Sequence, residues 1–264
     1  PTDFGEFDED SGIWKPIDVS GLTFGDNGFY LDFEDSSALG NDANGSNNFS
    51  LNNLAATDQG TDTCTNNFAT LNPLNAFYTN STFSDGNTTF ASGNSSSGTV
   101  GNILLNTGKW YWEVKIISKA GGGDNYLVGI QGQDSTATNQ AAADLATGWV
   151  FYGGGNYYNN GSGQTAGVSY AAGNTIGVAL DLTNNKIYWS KDGVFILSGN
   201  PSTGSNGISI TAPASVPLGG YYPTATFWEN STSATFSMNF GSPYYAITSG
   251  NSDSNNYGDF EYDV

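Results

Sequence analysis

Carboxylates are the side chains in this sequence best suited to acid–base chemistry, and their spacing decides whether they can perform it. The chain carries 25 Asp and Glu, no His and a single Cys. Without imidazole, Ser-His-Asp and Cys-His nucleophilic systems and any His-ligated metal are excluded. Glycoside hydrolysis needs two carboxyl groups flanking one scissile bond. Glu6-Phe7-Asp8 begins such a pattern, but Asp10 and Ser11 stand where the second glutamate should fall. Between residues 100 and 245 the glutamates are Glu113 and Glu229, and spacing gives neither a partner carboxylate. Glu113 falls among lysines on the polar face of a predicted strand. The chain therefore reads as non-enzymatic.

Two other groupings suit binding rather than reaction. The run Trp149–Gly161 (WVFYGGGNYYNNG) concentrates Tyr152, Tyr157, Tyr158, Asn159 and Asn160. Flat aromatic faces beside oriented amides suit a sugar or peptide ligand. The same residues also suit a plain hairpin, because Asn-Gly accommodates a tight turn. Trp228 and Glu229, leading into a later loop, complete the candidate ligand-binding set. Asp42-Ala43-Asn44-Gly45, with Asp35 upstream, offers clustered oxygens for Ca2+, making Asp35, Asp42 and Asn44 the candidate metal ligands. Asn53 stands at the twelfth position from Asp42, where a bidentate Glu would complete a calcium loop. An ordinary Asx-rich turn explains the cluster equally. No cofactor is required by these readings; Ca2+ is the one that they admit.

Charge narrows the partners. Six basic residues, all lysines, against 25 acidic ones give a net charge of −19. A surface so acidic repels phosphate, so nucleic acid is excluded as a partner. No apolar run approaches the roughly 18–20 residues that span a bilayer, so membrane insertion is not expected. Abundant Gly, Asn, Ser and Thr fit a β protein with uncharged polar turns, extracellular or on a virion surface. Cys64 cannot form an intramolecular disulfide and is expected to be a small buried apolar residue.

The elements that must position these residues are β-strands. In Thr107–Ile117 (TGKWYWEVKII), Trp110, Trp112, Val114 and Ile116 fall on one face and Lys109, Tyr111, Glu113 and Lys115 on the other. A period of two predicts a half-buried sandwich strand, with Trp110 and Trp112 in the core. Thr175–Val194 repeats the logic, with Ile176, Val178, Leu180 and Leu182 inward and turns at Asn184-Asn185 and Asp192-Gly193. Further strands are predicted at Tyr126–Gln131, Gly148–Tyr152, Lys186–Ser190, Tyr222–Phe227 and Ala234–Phe240, and near the N-terminus at Phe29–Phe33.

The segments GKWYWEVKI, VGI (Val128–Ile130), IGVALDLTNNKIYWSKDGV, YYPTATFW (Tyr221–Trp228) and FSMNFG (Phe236–Gly241) resemble SPRY (B30.2-type) domains in order and spacing. The resemblance covers about residues 100–245. It implies an all-β fold, a bent antiparallel two-sheet β-sandwich of the SPRY/concanavalin-like jelly-roll kind, with an N-terminal extension. Gly28–Phe49 is similar to the opening of laminin-G/concanavalin-like domains, which implies that residues 21–99 add strands and loops to the same sandwich. The expected organisation is an acidic connecting arm over 1–20, a sandwich over 21–250, and the start of a C-terminal extension over 251–264. Both ends suggest a piece of a longer polypeptide.

The phrases FYLDFEDSSALGND and NNFATLNPL look like those of marine bacteriophage structural proteins that carry SPRY-like domains. That likeness implies a virion tail-fibre or surface-fibre component. Its expected partners are further copies of itself, a trimer being favoured, or other virion proteins, and a host-surface glycan or protein held by the loops. The alternatives are a purely structural virion or filament role in which the sandwich makes subunit contacts and, as a minor one, a carbohydrate-active enzyme.

Overall fold

The computed structural model describes residues 2–7, 14–56, 59, 67–77, 81–93, 96–133, 140–229, 232–253 and 258–264. Cys64, and the Asp8, Asp10 and Ser11 of the N-terminal acidic pattern, lie outside the described residues. The chain forms two compact units, Pro1–Phe68 and Ala69–Val264. Among the described residues no helix is long and apolar enough to cross a membrane.

In the first unit, β1 (Gly5–Phe7) and β2 (Trp14–Pro16) pair antiparallel. The described residues from Ile17 to Ala56 hold no strand, so the strand expected at Phe29–Phe33 does not form. The reason is local. Tyr30 N–H donates to Asp42 Oδ1 at 2.9 Å, and Tyr30 C=O accepts from Ala43 N–H at 2.8 Å. A side-chain oxygen thus takes the place of a ladder partner. Phe33 then adopts φ 57°, which breaks the extended backbone. The aromatics pack on one another instead, with Phe29 edge-on to Phe49 at 4.8 Å.

The second unit is a two-sheet sandwich. One sheet has seven strands: β3 (Leu71–Phe77), β6 (Ser97–Gly101), β8 (Tyr126–Gln131), β9 (Gly148–Tyr152), β10 (Asn156–Asn159), β11 (Ser162–Thr165) and β16 (Tyr222–Phe227). Their order is β11-β10-β9-β8-β16-β6-β3. The other has eight: β4 (Ser81–Ser84), β5 (Thr89–Ser92), β7 (Lys109–Lys119), β12 (Thr175–Asp181), β13 (Lys186–Lys191), β14 (Val194–Phe195), β15 (Ile208–Ser209) and β17 (Ala234–Asn239). Seven of these run β14-β13-β12-β7-β17-β5-β4, and β15 pairs with β13. All the pairings are antiparallel, as the alternating pattern requires.

Alternation fills the core from both sheets. Trp112, Val114 and Ile116 of β7 join Tyr126, Val128 and Ile130 of β8, with Phe151, Trp189, Phe227 and Phe236. Burying each such side chain stabilises the fold by about 1.5–3 kcal/mol. The turns obey the expected chemistry. Asp192 and Gly193 both have positive φ (48° and 80°), as do Asn160 and Gly161 (53° and 71°). Two consecutive left-handed residues match the twist of the strands they join.

Two residues of β7 depart from the strict alternation. Trp110 is 45% exposed rather than core, because its indole folds back at the strand start and Nε1–H donates to Thr107 O at 2.6 Å. Glu113, expected on a solvated polar face, is fully buried. The chain after β17 returns across that face: Phe260 packs edge-on to Tyr111 at 5.3 Å, and Asn251 pairs with Phe260 in an isolated bridge. Beneath this segment Glu113 accepts from Tyr111 Oη (3.1 Å), Asn239 Nδ2 (3.1 Å), Tyr245 Oη (3.1 Å) and the N–H groups of Glu261 (3.0 Å) and Tyr262 (2.9 Å). Five donors, rather than a lysine, satisfy the carboxylate. Neighbouring Lys115 gives its ammonium to Gly173 O at 2.7 Å.

Candidate functional site

The outer face of the seven-stranded sheet follows from the same alternation. On β8 Tyr126 and Val128 point into the core and Leu127 points out; on β9 Phe151 points in and Val150 out. Leu127 and Val150, with Ala141, Ala142 and Ala143, form a separate apolar cluster on that outer face, and Tyr152 and Tyr158 pack against it. The two tyrosine rings meet edge-to-face at 5.8 Å.

Register brings Trp228 to the same place. Phe227 pairs with Tyr126, so the next cross-strand neighbours are Trp228 and Asn125. Trp228 N–H donates to Asn125 O at 2.9 Å, which continues the ladder past the strand end. Directly opposite residues hold their Cβ atoms about 5 Å apart on one face. Trp228 is 44% exposed there.

Asn125 links the two candidate regions. Its Nδ2 donates to Glu229 Oε2 at 2.7 Å, and its Oδ1 accepts from Tyr152 Oη. The carboxylate can only accept, so the amide orientation is determined by chemistry. Gly123 N–H donates to the same Oε2 at 3.0 Å. Gly121 and Gly122 have φ 74° and 68°, and a Cβ on Gly122 would meet the Glu229 carboxylate at 2.5 Å. The glycine run therefore lets the carboxylate lie against the backbone. Nearby, Lys119 Nζ donates to Gly122 O (2.9 Å), Gly123 O (3.0 Å) and Asp124 Oδ1 (2.9 Å). Burial, then Tyr158 and the carboxylates of Glu229 and Asp124, push the Tyr152 phenol above its usual range. Tyr152 thus remains a proton donor to Asn125.

The sequence-derived set divides. Tyr152, Trp228 and Glu229 meet at Asn125, and Tyr158 joins them through its edge-to-face contact with Tyr152. Tyr157 instead stacks on Trp189 at 6.2 Å and packs against the core. Asn159 Nδ2 donates to Ala146 O (3.1 Å) and Gly148 O (2.8 Å), tying the hairpin to the preceding turn. Asn160 occupies the left-handed turn and gives its N–H to Leu145 O at 3.1 Å. Sequence reasoning did not single out Asn125 or Gly121–Gly123. The available signal was the glycine triplet before Asp124-Asn125, together with Glu229 being one of two glutamates between residues 100 and 245.

The oxygens proposed for Ca2+ have protein partners. Asp42 is buried and accepts from the N–H groups of Tyr30, Asn44 and Asn47. The N–H of Tyr30 is the main cause that lowers its carboxyl below the usual range. Asp35 accepts from the N–H and hydroxyl of Ser37 in a tight local turn. Asn44 Nδ2 donates to Leu22 O at 2.6 Å. Among the described residues no group of three or more His, Cys, Asp or Glu side chains is arranged to hold a metal ion.

The SPRY domain family model matches residues 109–241. Among solved structures the chain is similar to the SPRY domain of human HERC1, at 17% identity and a TM-score of 0.51, over 64% of this chain and 96% of that one. At that identity the likeness concerns the fold. No curated protein matches the sequence. With the alternating motifs, the two antiparallel sheets and the family match over half its length in agreement, the chain belongs to the SPRY domain family.

Proposed function

We propose that the chain is a non-enzymatic recognition module whose ligand rests on the outer face around Asn125, Tyr152, Tyr158, Trp228 and Glu229. Its family supports the general class, since SPRY domains serve as interaction and recognition modules and are generally non-catalytic. The observation that carries the location is the exposed Trp228 ring, directly across the ladder from an asparagine already tied to Tyr152 and Glu229. An exposed aromatic beside ordered polar groups offers contact area at little cost in side-chain entropy. We place the module on a virion surface or tail fibre, assembled as a trimer or against other virion proteins and facing a host-surface protein or glycan. The net charge of −19 and the uncharged polar turns support that setting.

Selection on the immobilised chain tests the reading. A random peptide display library and a glycan array are to be screened against wild type and Trp228→Ala. Enrichment on the wild type that disappears with Trp228→Ala is expected. Enrichment unaffected by the substitution, or no enrichment in either format, would overturn the assignment.

A further inference from the structure

We infer that the group recognised at Trp228 is a cationic side chain, best an arginine guanidinium, presented by a basic segment of a protein partner. This rests on the reading that the outer face around Asn125 is the ligand surface.

Tyr152 directs its proton to Asn125 Oδ1, so toward any further group its oxygen can only accept. Glu229 uses Oε2 for Gly123 N–H and Asn125 Nδ2, while Oε1 accepts no hydrogen bond among the described residues. The local cation is unavailable. Lys119 has three ammonium protons, and Gly122 O, Gly123 O and Asp124 Oδ1 take one each. Lys119 also neutralises Asp124, at 2.9 Å. Among the described residues, what remains is a Glu229 carboxylate with no lysine of its own, held in place by the glycine loop beside a tryptophan that is 44% exposed.

Such a surface asks for a ligand rich in N–H donors that can also lie on an aromatic face. Guanidinium meets both needs: it donates in a planar fork and stacks on indole. A sugar hydroxyl has one proton to donate and two lone pairs to fill, and acceptors alone satisfy only the proton. Charge over longer range agrees, since a net charge of −19 attracts a basic partner and repels an acidic one.

The test is a titration of wild-type chain followed by the indole N–H resonance of Trp228. The probes are N-acetyl-arginine amide, N-acetyl-lysine amide, N-acetyl-citrulline amide and methyl glucoside. Citrulline keeps the shape of arginine and removes its charge. Arginine is expected to bind at least about tenfold more tightly than citrulline or the glucoside, with lysine between them. Added salt should weaken arginine binding. Glu229→Gln should reduce the preference for arginine over citrulline while leaving the Trp228 resonance folded-like. Equal binding of citrulline or the glucoside would overturn the cationic assignment, and so would no shift with any probe. If Trp228→Ala abolishes capture of the selected ligands yet the charge series shows no preference, the surface assignment survives and the ligand class does not. If capture ignores Trp228, the surface assignment itself fails.

Discussion

The backbone N–H of Tyr262 donates to Glu113 Oε1 at 2.9 Å, across 149 residues of sequence. It is one of five hydrogen bonds by which a single buried carboxylate fastens the chain end to the eight-stranded sheet. Glu113→Ala would strand those donors beneath Phe260, and should cost about 3–5 kcal/mol in urea unfolding. The amides of Glu261 and Tyr262 should exchange with solvent well before global unfolding. A loss under about 1 kcal/mol would mean that water readily replaces the carboxylate.

The two tryptophans that begin β7 should behave oppositely. Trp112 is 1% exposed and Trp110 is 45% exposed. Trp112→Ala should destabilise the sandwich by about 3–5 kcal/mol by opening a cavity between the sheets. Trp110→Ala should cost about 1 kcal/mol or less, since it removes one hydrogen bond to Thr107 O and half-exposed packing. Equal losses in thermal or denaturant unfolding would restore Trp110 to the core.

Stability should fall at both pH extremes, for different groups. Burial alone would raise Asp181, but the side-chain and backbone hydrogen bonds from Asn184 and the Lys109 ammonium at 3.7 Å outweigh it and hold the carboxyl below 3.8. Its folded value lies below its unfolded one, so its contribution is complete above about pH 4 and is lost as pH falls through the folded value. At the alkaline end, burial and then Asp124 push Tyr126 from 10.0 up to about 12. Burial also raises Tyr170 well above its usual range. Phenols raised in the folded state stabilise it fully below pH 10.0, and that contribution is lost between there and about 12. Denaturant midpoints across pH, with phenolate absorbance, should show the acid decline and a block of tyrosines that ionise only on unfolding. Titration of every tyrosine near pH 10 in the folded chain would contradict it.

Legibility in the sequence followed the range of the interaction. Period-two alternation located β8, β9 and β16 to the residue, because each inward side chain reports its own burial. Asp192-Gly193 announced its turn because left-handed backbone restricts residue choice locally. Glu113 was misread because its environment is made by Asn239, Tyr245, Glu261 and Tyr262, which lie far along the chain and leave no periodic trace. Trp110 was misread because alternation gives a face but not how far along the strand the core extends. Phe29–Phe33 alternates, yet Asp42 caps Tyr30 from twelve residues away, and that cap is a geometric fact rather than a pattern. In the candidate site, the Tyr152 and Tyr158 pair was legible as an aromatic cluster, whereas the place of Asn125 emerged only from the register that sets it opposite Trp228.

The proposed ligand surface is the outer face at Asn125 and Trp228. Backbone hydrogen exchange, with and without a ligand selected on the wild-type chain, tests it most directly. Slowed exchange is expected over Gly122–Leu127 and Thr226–Glu229, with no change at Val194–Leu197 on the other sheet. Protection at Val194–Leu197 or over Gly258–Val264, with residues 122–127 unaffected, would put the ligand elsewhere on the protein.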